Sequence, residues 1–200
     1  MPRDRIPKPD RSDERTLVKA ATGGDEAAWR AIYDATHARL FNFLCYQTGD
    51  REAARDLLQE TYVTAFTRLD TWRGEGSLLG WLRVVALRKC LDWRRQVRLR
   101  VRKLAVLARE TVPDTSQGAE EAFPGLGDGF QAALDRLSSR QRAALLLREL
   151  EDQPFAAVAE AIGCSEATAR VHHFRACQRL QSWLSAGDGL VVGGNTGGLT

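Results

Sequence analysis

Three groups of residues in this chain have types and spacings that could do chemistry. The first is cationic: Arg88, Lys89, Arg94, Arg95, Arg98, Arg100, Arg102 and Lys103 stand against a single acid, Asp92. Such a run is a solvated helix end or, because its charges repel one another, a surface shared with a polyanion. The second group, Arg170, Val171, His172 and Arg175, falls on one side of a helical stretch. The third is Cys164, His172, His173 and Cys177, in which His173 and Cys177 are an i, i+4 pair. Zinc or redox chemistry could arise there, but the spacing is not that of a zinc finger. Small, semi-buried cysteines and a core-facing His173 are the simpler reading, so no metal or cofactor is expected.

The second group sits inside a helix, turn, helix layout. Pro154 suits a first helical position, and Phe155, Val158, Ala159 and Ile162 then form one apolar stripe. Gly163 can take the left-handed conformation that stops this helix, and Ser165 caps the next. On that next helix Ala169, His173, Ala176, Leu180 and Leu184 share the inward side. Alanines at 156, 157, 159 and 161 let the two helices cross closely, leaving a basic side that fits a major groove. An ordinary packed helix pair is the alternative.

The rest of the chain must position these groups. Asp25 can cap a helix carrying Trp29, Ile32, Tyr33, Leu40 and Leu44, and Gly49-Asp50 breaks and restarts the chain. A following helix turns Ala54, Leu57, Leu58, Thr61, Ala65 and Leu69 inward. Residues 73–77 form a turn-rich loop, after which a long helix begins near Leu78 with Trp81, Leu82, Val85 and Leu91 on its stripe. An upstream helix from Ser12 or Asp13 packs on this bundle. From Glu110 to Asp128 the composition turns acidic and rich in proline and glycine, as in a flexible linker. Beyond it, Ser138 and Gln141 make a capping box for a helix with a Leu145-Leu146-Leu147 core run. The expected architecture is all-α: a helical domain over 12–105, a linker over 106–129, a second domain over 130–185, and a disordered glycine-rich tail over 186–200.

Composition narrows the function. The 200 residues carry a net charge of only +3, so any nucleic-acid surface is local rather than global. No apolar run is long enough to span a bilayer, and the polar start lacks a signal core, so a cytoplasmic protein without membrane insertion is expected. No phosphate-cradling glycine loop, catalytic carboxylate pair or activated nucleophile is present, so no enzyme is expected.

Taken in order, the motifs resemble the extracytoplasmic-function group of bacterial RNA polymerase sigma factors, over roughly Ser12 to Trp183. Residues 24–29 through Tyr33 look like the family's opening helix, and residues 56–62 resemble its polymerase-binding segment. Trp81-Leu82, Leu91-Asp92 and Arg95 resemble the helix that reads the −10 element. Residues 137–142 and 163–168, with Arg175-Ala176, resemble the entry and recognition helices of sigma region four. The chain departs from the pattern at Arg88, where members commonly carry asparagine, and at Ala169, His172 and His173, where valine, arginine and an apolar residue are usual.

The resemblance implies an alternative sigma factor that binds core polymerase, through its beta-prime clamp and beta flap, and promoter DNA. It also implies an anti-sigma factor, which the family commonly uses. Asp56, Gln59 and Glu60 would meet the clamp. Trp72, Arg73, Gly74 and Ser77 would receive an unstacked −10 base, with Arg88, Lys89, Arg94, Arg95 and Arg98 along the same DNA. Ser165, Thr168, Arg170, Val171, His172, Arg175 and Arg179 would face the −35 element. The competing reading is a helix-turn-helix regulator that acts without being a polymerase subunit.

Overall fold

A computed structural model describes residues 11–74, 76–108 and 128–185. All regular elements among them are helical: α1 (Arg11–Thr22), α2 (Glu26–Thr48), α3 (Arg51–Arg68), a 3-10 turn (Leu69–Thr71), α4 (Leu78–Ala108), α5 (Asp128–Asp135), α6 (Ser139–Glu149), α7 (Phe155–Ile162) and α8 (Glu166–Ser185). Helices α1 to α4 form a first module and α5 to α8 a second. Of the expected linker over 106–129, residues 106–108 belong to α4 and 128–129 to α5, while 109–127 and the expected glycine-rich tail lie outside the described residues.

The helix boundaries follow local chemistry. The Asp25 carboxylate accepts from the Ala27 and Ala28 amides at 2.8 and 3.2 Å, and Asp50 does the same for Glu52 and Ala53 at 2.9 and 3.0 Å. Between α2 and α3, Gly49 takes φ +73° and donates its N–H to the Cys45 carbonyl at 2.8 Å, the left-handed stop that glycine permits. Ser138 and Gln141 form the reciprocal capping box. Pro154 is the residue before α7 rather than its first turn, with ψ 150°. That one-residue difference costs nothing, since proline has no N–H to leave unpaired.

The first core gathers Val18 and Ala21 of α1, Ile32, Leu40 and Leu44 of α2, Ala54, Leu57, Leu58 and Ala65 of α3, Leu69 of the 3-10 turn, and Leu82, Ala86 and Cys90 of α4. Helix α4 departs from the stripe its sequence predicts. Trp81, Val85 and Leu91 are only half-buried, whereas Leu79, Arg83, Leu87 and Cys90 are buried. A single stripe was expected, but α4 packs on two sides. Leu82, Ala86 and Cys90 face the first core, while Leu87, with Val84 and Leu91 beside it, joins the second. Helix α2 divides similarly, sending Phe43 and Tyr46 into the second core alongside Leu134, Leu146, Leu147, Val158 and Ile162.

The two modules therefore share a seam. Arg142 of α6 is fully buried in it: Nη1 donates to the Tyr46 and Gln47 carbonyls at 3.3 and 3.0 Å, and Nη2 lies 2.7 Å from Asp135 Oδ1. These carbonyls belong to the last turn of α2, which lacks intrahelical donors and carries the negative end of the helix dipole. Arg83 of α4 pairs with Glu151 in the loop before α7, both nearly buried. Arg94 Nη2 donates to the Thr48 carbonyl at 3.3 Å. Burial lowers Arg142 and Arg83 to pKa values of about 10, which leaves both charged at neutral pH.

Candidate functional site

On α3, Leu57, Leu58 and Thr61 point into the core, which leaves Asp56, Gln59 and Glu60 exposed on one strip. Lys89 of α4 reaches this strip, with Nζ 3.3 Å from Glu60 Oε2. A carboxylate, amide, carboxylate surface suits an arginine-bearing partner, since charge-assisted hydrogen bonds are the stronger kind.

The loop between the 3-10 turn and α4 is held by α1. Arg15 Nη2 donates to the Gly74 carbonyl at 3.4 Å, and the Leu78 amide donates to the buried Glu14 carboxylate at 3.1 Å. Glu14 thus caps α4 from outside, with its negative charge at the positive helix end. Ser77 also serves the helix start, its Oγ accepting from the Gly80 amide at 3.1 Å. Between α1 and the loop lies an open cleft of about 330 Å³ bordered by Arg15, Lys19, Asp70, Trp72, Arg73 and Gly74. Arg73 is exposed. Trp72 is a buried member of the first core, so it meets the cleft as part of its wall and not as a free stacking platform. The contributions of Arg15 and Lys19 were not legible beforehand, because they lie more than 50 residues from the loop they line.

Along α4, Arg88, Arg95 and Arg98 are exposed, as are Arg100, Arg102 and Lys103. Arg94, expected among them as a phosphate contact, is instead half-buried at the seam, where desolvation lowers its pKa. The shared packing of α4 draws it inward. Lys89 is half-buried and engaged by Glu60. Trp93 packs against the first core.

In the second module, α7 and α8 cross at Gly163, whose φ of +66° ends α7. Ser165 Oγ accepts from the Thr168 amide at 3.2 Å and lies 2.8 Å from the Thr168 hydroxyl, so both residues are committed to the start of α8 while remaining exposed. Ala169, Ala176 and Leu180 are buried; Arg170, Val171 and Arg175 are exposed. Arg170 is pre-oriented, 2.5 Å from Glu166 Oε1 and 4.5 Å above the Phe155 ring. His172 is half-buried, and burial first, then Arg140 and Arg175, lowers its pKa. Arg179 donates to Gln141 Oε1 at 3.1 Å, tying α8 to the capping box of α6.

The cysteine and histidine group regroups in three dimensions. Cys164 lies at the turn, its thiol 3.3 Å from the Ser165 carbonyl, and does not join the others. His173 instead meets Glu149 at the end of α6, Nε2 to Oε1 2.8 Å, with Cys177 Sγ 3.5 Å from the same nitrogen. His173 is half-buried rather than fully core-facing. Glu149 was missed in the sequence because it belongs to a different helix, 24 residues away.

Two family models match the chain: sigma-70 region 2 over residues 32–100 and sigma-70 region 4 over residues 128–180. The ECF RNA polymerase sigma factor SigE of Mycolicibacterium smegmatis is 30% identical over 182 residues, covering 87% of this chain and 70% of that one. SigX of Bacillus subtilis, also an ECF sigma factor, is 28% identical over 165 residues, or 78% and 83% of the two chains. The fold is similar to that of the sigma factor RpoE of Bartonella quintana, solved with the anti-sigma factor NepR. That likeness has a TM-score of 0.62 at 24% identity and spans 80% of this chain and 98% of the other. With both sigma-70 regions in order, the chain belongs to the ECF RNA polymerase sigma factors and directs transcription initiation as an alternative sigma factor.

Proposed function

We propose that the first module, over residues 12–105, binds core polymerase and opens the −10 element, and that the second, over 130–185, reads the −35 element. Asp56, Gln59 and Glu60 meet the beta-prime clamp. The cleft at Trp72, Arg73 and Gly74 takes an unstacked base, and Arg15 and Lys19 supply cations at its edge. Pocketing a base that has left the stack offsets an opening cost of a few kcal/mol. Arg88, Arg95 and Arg98 hold the −10 backbone, while Arg170, Val171, His172 and Arg175 enter the −35 major groove, with Arg179 and the second module also meeting the beta flap and DNA backbone. Residues 109–127 can reach at most about 65 Å when extended, against roughly 70 Å for two promoter elements two helical turns apart. The modules themselves span the remainder.

The observation that carries this reading is the adjacency of an exposed acidic strip on α3 and an exposed basic run on α4, joined at Glu60 and Lys89. One face offers anions to a protein and the next offers cations to a duplex. Run-off transcription with bacterial core polymerase tests it. Wild-type chain should select start sites, and the Asp56→Ala, Gln59→Ala pair should lose polymerase binding while retaining its helical fold. Unchanged co-purification with core would overturn the clamp assignment. We further read the protein as cytoplasmic and not catalytic, and as a target for an anti-sigma factor, which RpoE of Bartonella quintana has in its solved complex.

A further inference from the structure

We propose that Glu149, His173 and Cys177 form a binding site for a divalent d-block cation of the zinc class, fastening the end of α6 to the middle of α8. Their ligand atoms all lie within 4.8 Å of one another. An i, i+4 pair places two ligands on one face of α8, the arrangement helical metal sites use, and the third comes from a neighbouring helix.

Two of the three separations lie close to the edges of a tetrahedron, and the third is within 4.8 Å. Bonds of about 2.3 Å to sulfur and about 2.0 Å to nitrogen or oxygen put ligand atoms roughly 3.3 to 3.6 Å apart. The Cys177 to His173 separation of 3.5 Å is already an edge of that figure, and the His173 to Glu149 separation of 2.8 Å needs to open by only a fraction of an ångström. Glu149 is exposed and adjusts without disturbing the core, while His173 is steadied by the Phe155 ring, edge-on at 5.4 Å. A thiolate and an imidazole select zinc or cobalt over magnesium or calcium. Thiolate and carboxylate together neutralise a dication, the thiol proton passing to solvent. Water completes the fourth position.

The full chain, reduced and stripped of metal by a chelator, is titrated with Co²⁺ and then Zn²⁺. One equivalent of Co²⁺ should produce visible bands of four-coordination and a near-ultraviolet sulfur-to-cobalt band, both bleached by Zn²⁺, which should also raise the melting temperature. Cys177→Ser should abolish the sulfur band. Glu149→Gln, at an exposed position, should weaken binding by about tenfold or more, since even outer-shell partners are worth that much. Cys164→Ser should change nothing. Absence of the cobalt bands in the wild type, or a sulfur band that survives Cys177→Ser, would overturn the site.

Discussion

Lys89 Nζ lies 3.3 Å from Glu60 Oε2, so the helix bearing the acidic strip and the helix bearing the basic run touch through an ion pair. The Glu60 side chain is 62% exposed, and solvent-exposed pairs contribute about 0–1 kcal/mol. Glu60→Ala and Lys89→Ala should therefore leave thermal unfolding nearly unchanged while lowering transcription. A large drop in melting temperature would instead assign the pair a structural role.

Arg142→Ala should open the seam. It removes the buried guanidinium that the Tyr46 and Gln47 carbonyls and Asp135 share; Asp135, 40% exposed, regains water, so the loss is that of buried carbonyls left without a donor, roughly 1–3 kcal/mol. Small-angle scattering should show a more extended particle, with helical content retained. A particle of unchanged radius would mean that apolar packing around Phe43 and Leu87 holds the modules together by itself.

Gly49→Ala should destabilise the protein by more than about 1 kcal/mol, because alanine is strained at φ +73° and its Cβ would sit 2.9 Å from Asp135 Oδ1. Denaturant unfolding measures this. The same change at Gly163 meets no neighbour within 4 Å and should cost only the backbone strain.

Much of this was legible in the chain. Asp25, Asp50, Ser138 and Gly163 act locally, and every inward residue expected on α3 is buried, since capping and periodicity are short-range properties. The remainder depends on long-range packing. Arg83 and Arg142 look like surface cations until the opposite module covers each, and Arg94 reads as a phosphate contact for the same reason. The double-sided burial of α4 shifts its stripe in a way a single-module expectation cannot anticipate.

Binding to −35 duplex should strengthen below pH 6.5. Burial, with Arg140 and Arg175, holds the His172 pKa under its usual 6.5, so the ring is neutral at pH 7 and gains charge only on acidification. Added charge should raise affinity and steepen its salt dependence. Stability runs the other way: the contribution of the depressed pKa is complete above 6.5 and is lost as pH falls through the folded-state value. An imidazole titration by NMR, with His172→Asn as control in binding assays, checks both signs. A pH-independent affinity would remove His172 from the reading face.

Alkylation of the native, metal-free protein should mark Cys164 first and spare Cys45 and Cys90, whose buried thiols are pushed up to about 11. Peptide mass spectrometry should find the last two modified only after unfolding. Early labelling of Cys90 would mean that α4 lifts readily from the bundle.

Helix α4 is one unbroken rod of 31 residues, about 46 Å long. Its inner half is clamped between the modules by Arg83 and Leu87, and its outer stretch carries the exposed arginines. Under the proposed −10 reading, a duplex held at that charged tip would pull on the same rod the joint grips, so promoter binding and separation of the two halves would be mechanically coupled.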